Sequence, residues 1–335
     1  MLMKKESVSL PDKNKVSVVL VPALAVSLVL CWFVFIQGYA TGYLVERDPL
    51  WEDMRFGYAR FDNEWSFGYF VPVAVALLAW VLRKEFAAVR VQPSLWGLPI
   101  LLLGFFFYFG GYRANVTYIG FFACQLLTAG MIVWFLGVKW FQKAFWLWLL
   151  FGMFWPFDFL IKPISFPLRI IMVQLTTGYL NLTGVQAIPE GTSVLTDTLD
   201  PKTGDPISLN IAIACSGLRS LFALIMIGLV FSALMLKKDW KRLVLMLCIP
   251  LVAIAGNFVR MLMLYYGSKF GGTKFAIGEG HGNESSYHIG SGLVIFVVAL
   301  VLVTILVELL NQGFSRFFRK RKVRSRVVNA TGTES

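Results

Sequence analysis

LVLMLCIPLVAIAGNFVRMLMLYY, residues 243–266, is a run of 24 almost wholly apolar residues with one arginine inside it, Arg260. About 20 apolar residues suffice to cross the hydrocarbon of a bilayer as a helix. A guanidinium in such a run is expensive, and it by default faces a bundle interior and marks a functional site. Similar runs recur along the chain, at about 18–37, 67–82, 95–111, 116–136, 144–160, 211–236 and 289–309. The composition agrees: 57% of the 335 residues are hydrophobic and 15% charged, against roughly 25% charged in soluble domains, and the mean hydropathy is +0.69. The fold class expected is an all-α polytopic integral membrane protein of about eight transmembrane helices.

Charge sets the expected orientation. The formal charge is +12, and the cations fall between runs and at the termini, as cytoplasmic loops beside anionic headgroups require. The partner this implies is the lipid bilayer, not nucleic acid. Arg83, Lys84 and Arg90 follow the second run, Lys139 and Lys143 the fourth, and Lys237, Lys238, Lys241 and Arg242 the sixth. The tail carries Arg316, Arg319, Lys320, Arg321, Lys322, Arg324 and Arg326. All share one side if the N-terminus does. The other side receives Glu46, Asp48, Glu52, Asp53, Asp62 and Glu64, and the Gly/Pro-rich stretch 184–208. Both termini are therefore expected in the cytoplasm. Lys4, Lys5, Lys13 and Lys15 precede a first run too long for a signal-peptide core, so it reads as an uncleaved span.

Between the fifth and sixth runs lies an external segment, 161–210. Pro163 and Pro167 in its first half predict a break and restart, within an amphipathic helix at the outer interface. Pro189, Gly191, Pro201, Gly204 and Pro206 predict turns and short strands. The expected organisation is a four-span membrane region over 1–143, a catalytic membrane core over 144–310, and a basic cytoplasmic tail over 311–335.

Three polar residues then fall at one depth. Cys215, in IAIACSGLRSLFAL, sits about 5–8 Å below the outer end of the sixth span at ~1.5 Å per residue. Arg260 lies about 9 Å below the outer end of the seventh by the same rise. His288 opens the eighth at the outer side. A thiol attacks only as thiolate. An imidazole can take its proton and a cation favours the anion. Arg260 can also face the oxyanion of a tetrahedral intermediate, and His288 can protonate the leaving amine. Asn257, on the face of Arg260, can orient it. Arg219, one turn inward of Cys215, can pair, and Ser216 and Gly217 can permit close helix packing. His281 is the rival imidazole, with Glu279 or Glu284 to orient either ring. The four cysteines (Cys31, Cys124, Cys215, Cys248) show no CxxC and no Cys/His metal spacing, so neither a disulfide framework, a metal nor any cofactor is expected.

Three blocks in this order resemble the exosortase/archaeosortase family: Ala214-Cys215-Ser216-Gly217, running on to Arg219; Asn257 to Arg260, preceded by Gly256; and His288 with the run Ile289 to Phe296. The likeness covers about residues 145–310. It implies a membrane cysteine protease or transpeptidase at the extracytoplasmic face of a bacterial inner membrane. Cys215 would be the nucleophile, with Arg260 and His288 the other catalytic members and Ser216, Gly217, Arg219 and Asn257 supporting them. Its partners would be membrane-anchored proteins bearing a C-terminal sorting tail (PEP-CTERM-like), cut and passed to an envelope acceptor. Three other readings stay open: a membrane acyltransferase using His288 with Asn257; an anion pathway or lipid-headgroup site at Arg260 and Arg219; and a non-catalytic factor in exopolysaccharide export that docks through 184–208.

Overall fold

The computed structural model describes residues 28, 31–39, 47–60, 65–211, 217–278 and 285–312. Most of the first expected span, Cys215, Ser216, Glu279, His281, Glu284 and the basic tail beyond Gln312 lie outside them. The chain divides into two compact units, Met1–Pro156 and Phe157–Ser335.

The first unit contains α1 (Leu50–Arg60), α2 (Val71–Val81), α3 (Gly97–Ala114), α4 (Thr117–Phe135) and α5 (Val138–Gly152), with a single-turn helix at Arg83–Ala87. α3 and α4 form an antiparallel pair brought close by small residues. A Cβ on Gly97 would lie 2.5 Å from the Trp134 nitrogen, and one on Gly130 would lie 2.9 Å from the Leu101 nitrogen. Gln125, buried on α4, ties α5 to it. Its Nε2 donates to the Trp148 carbonyl (2.7 Å) and its Oε1 accepts from Trp155 Nε1 (2.8 Å), which satisfies a polar group that would be costly if buried alone.

The fifth run departs from expectation. The helix covers Val138–Gly152, not 144–160, and so takes Lys139 and Lys143 out of the loop. Gly137, at φ 99°, turns the chain immediately before it, where a Cβ would collide with the Gln92 carbonyl. Lys143 pairs with Glu85, so its charge is met at the helix surface.

The second unit opens on α6 (Ile161–Leu182), continues through strands β1 (Ala187–Glu190), β2 (Ser193–Leu199) and β3 (Pro206–Asn210), and ends in α7 (Leu218–Leu234), α8 (Asp239–Gly271) and α9 (Ser286–Gln312). The break expected at the prolines is absent: α6 is continuous, with Pro167 inside it. Pro163 falls in the first turn, where the backbone N–H has no intrahelical partner anyway. Pro167 does cost a bond, about 3 kcal/mol for an interior proline. Burial of Met172, Val173 and Leu180 in one core with the sheet and α8 offsets it, since each such side chain contributes about 1.5–3 kcal/mol.

The sheet is antiparallel in the order β1-β2-β3. Val194, Ile207 and Leu209 point into the core shared with Met261, Leu264 and Tyr265 of α8. The β2–β3 turn adds a polar latch. Asp200 Oδ2 accepts from the Thr273 amide (2.5 Å), and Oδ1 accepts from the Lys202 amide (2.7 Å). The Thr273 hydroxyl first, then these amides, hold the carboxyl well below the usual carboxylate range. A group with a lowered folded value stabilises above its unfolded value and loses that contribution as pH falls through the folded one. The latch should therefore hold at neutral pH and weaken only in acid, below about pH 4. Asp200→Ala should release it at any pH, read as faster hydrogen exchange across 272–278 with the α8 core still protected. Unchanged exchange there would show the contact to be idle.

Four helices among the described residues are long and apolar enough to cross a membrane: α3, α4, α8 and α9. Two shorter apolar helices, Phe67–Val81 and Leu218–Leu234, accompany them.

Candidate active site

α8 carries Asn257 and Arg260 three residues apart and so on one face. Asn257 is 4% exposed. Beside this face begins α9, and its start is built to place one side chain. Ser285 caps the helix: its Oγ accepts from the His288 amide (3.0 Å) and donates to the Ala276 carbonyl (3.0 Å). A serine cap of this kind is worth about 0.5–2 kcal/mol. Tyr287 OH donates to the Met263 carbonyl of α8 (3.0 Å), which fixes the two helices where they meet.

His288, 3% exposed, then reaches Arg260. Nη2 of the arginine and Nε2 of the imidazole are 2.9 Å apart. A guanidinium has donors only. The imidazole nitrogen must be the acceptor, which makes the ring neutral in this contact with its proton on Nδ1. Gly292, one turn further along α9, leaves room for the guanidinium, since a Cβ there would stand 3.3 Å from Arg260 Cζ.

The start of α7 closes the third side. Gly217 caps it at φ 80°, a backbone conformation that favours glycine. A Cβ at Gly217 would be 3.0 Å from Asn257 Cγ. Ser220 Oγ donates back to the Gly217 carbonyl (2.8 Å). A cavity of about 30 Å³, lined by Ser220, Asn257, Arg260 and Gly292 among others, lies against the guanidinium. That is room for a group the size of a water molecule.

Of the residues singled out in the sequence, the structure brings Arg260 and His288 into contact and sets Gly217 against Asn257. Arg219 is exposed on α7. Cys215 and Ser216 fall in the undescribed residues immediately before Gly217. Ser285, Ser220 and the gap at Gly292 were not anticipated. A serine three residues before His288 is a helix-start signature, and it would have identified Ser285.

The family model for transmembrane exosortases matches residues 51–305. The chain belongs to the transmembrane exosortase family. The match runs from α1 almost to the end of α9, so it takes in the first unit as well as the three blocks in the second, and is wider than the 145–310 on which the resemblance rested. No curated protein and no solved structure matches the chain. Exosortase membership carries a coarse function, that of a membrane transpeptidase for sorting signals, and both Arg260 and His288 lie inside the matched region.

Proposed function

We propose that this exosortase is a cysteine transpeptidase. It would cleave C-terminal sorting tails at the extracytoplasmic face of the inner membrane, from a bundle of about eight spans with both termini in the cytoplasm. The observation that carries the reading is the 2.9 Å contact between Arg260 and His288, on the face where Asn257 abuts Gly217. Cys215 is two residues from Gly217, a chain reach of at most about 7 Å.

The chemistry follows from the tautomer. As the substrate carbonyl draws the Arg260 guanidinium off His288 Nε2, the lone pair so freed takes the Cys215 thiol proton while sulfur attacks the scissile carbonyl carbon. The imidazolium so formed repels the guanidinium and keeps it from returning. Arg260 is thereby held against the oxyanion growing on the former carbonyl oxygen, where its remaining donors stabilise the charge. On collapse the C–N bond breaks, His288 returns its proton to the leaving amine, and an acyl thioester remains on Cys215. An acceptor amine then attacks the thioester, restoring the thiol, and its proton leaves through the imidazole. Water in place of the amine would give hydrolysis.

The test is trapping. A tailed substrate co-expressed with the wild-type chain, without acceptor, should leave a hydroxylamine-sensitive acyl adduct on Cys215 by mass spectrometry, and none on Cys215→Ala. Cleavage that persists in Cys215→Ala would overturn the proposal and favour acyl transfer through His288 and Asn257.

A further inference from the structure

The first unit holds a slot of about 540 Å³ between α2, α4 and α5, within the ~300–1,000 Å³ typical of ligand pockets. Its walls are Val75, Ala79, Ile132, Leu147 and Phe151 among others, with Arg83 at one end. Of the three neutral polar side chains in its lining, Thr128, Trp140 and Trp148, two donate within the unit: Thr128 Oγ1 and Trp148 Nε1 both donate to the Gln125 carbonyl (2.7 and 3.0 Å). The walls are mainly apolar and favour hydrocarbon, and charge enters only at Arg83.

That end is held in place and is cationic. Phe86 stacks on Trp140 with centroids 4.8 Å apart, and the amides of Gln92 and Ser94 donate to the carbonyls of Leu136 and Trp134. These bonds gather Arg83, Lys84, Arg90, Lys139 and Lys143 at one end of the helices. Glu85, their acidic neighbour there, is taken by Lys143. Arg83 Nη1 donates to the Trp80 carbonyl (2.7 Å) and its guanidinium rests over the Trp80 ring at 4.2 Å. This fixes the head of a side chain that stays exposed.

We propose that the slot is a specific site for an anionic phospholipid: one acyl chain lies along the apolar walls and the phosphate seats on Arg83. Charge decides the class. A zwitterionic headgroup brings no net charge to this cationic end, and a cationic polypeptide tail would be repelled by it. The anionic headgroup gains about fivefold in affinity from the one cation it seats on, Arg83. The proposal is independent of the chemistry assigned to Cys215.

The test uses the purified full-length chain, delipidated in mild detergent and titrated with phosphatidylglycerol or phosphatidylcholine of identical chains, with retention read by native mass spectrometry. The wild type should retain phosphatidylglycerol at least fivefold better. Arg83→Gln should bring the two lipids to within about twofold. Arg83→Lys should keep most of the preference, and Arg113→Gln, at the other end of α3, should keep all of it. Ala79→Trp, which fills the slot, should lower retention of both lipids. Circular dichroism confirms that each variant is folded. A preference that survives Arg83→Gln, or retention indifferent to Ala79→Trp, would mean ordinary boundary lipid and overturn the site.

Discussion

Replacing Arg260 with lysine should lower turnover of a tailed substrate by about 10²–10³-fold, the usual loss for one oxyanion donor, with little change in KM. Lysine keeps the charge but not the planar fork. Arg260 reaches Nε2 of His288 through Nη2 and approaches the α9 backbone at Gly292. An ammonium on a flexible stem cannot hold the imidazole and then present a second N–H to the oxyanion. Because the interaction with the oxyanion exists only in the transition state, the loss should fall on kcat. Single-turnover cleavage in reconstituted vesicles measures it, with thermal unfolding to show that α8 and α9 still pack. A lysine variant within threefold of wild type would remove Arg260 from the chemistry and leave it a pairing residue.

His288→Ala should cost about 10²–10⁴-fold, the range for loss of a positioned general acid–base. It should also abolish any limb of the pH–rate profile due to the imidazole. The double variant is the sharper measurement. If guanidinium and imidazole act as one unit, Arg260→Lys combined with His288→Ala should be no slower than the worse single variant within about threefold, since groups that act together are strongly non-additive. Losses that multiply would mean that the 2.9 Å contact is incidental to turnover.

Much of this site can be read in the chain before any coordinates, for a physical reason. A cation in an apolar run is so costly that Arg260 identifies itself, and the spacing to Asn257 follows from helical period alone. Bringing His288 to the same place required only span counting and loop charge. What could not be read depends on partners distant in sequence. Lys143 looks like a loop residue until its pairing with Glu85 is known, and the fifth helix begins at Val138, directly after the turn at Gly137, and not at Ala144. Pro167 looks like a break until Met172, Val173 and Leu180 are seen buried against α8. Arg219 shares the Cys215 block yet is exposed. Asp200 gives no local sign that it fastens to Thr273, 73 residues away.

α8 has 33 residues, so it measures about 50 Å at ~1.5 Å per residue, against about 30 Å of hydrocarbon. One continuous helix, with Pro250 inside it, thus carries its basic foot near Arg242, the asparagine and arginine of the site, and the Tyr265 that bonds Thr198 of the sheet. A codon gained or lost between Arg242 and Asn257 would rotate everything beyond it by about 100° and swing the guanidinium off the imidazole. The same change in the loop between α7 and α8 would be absorbed. Length variation in this gene should accordingly be barred from the helix and tolerated at its joints.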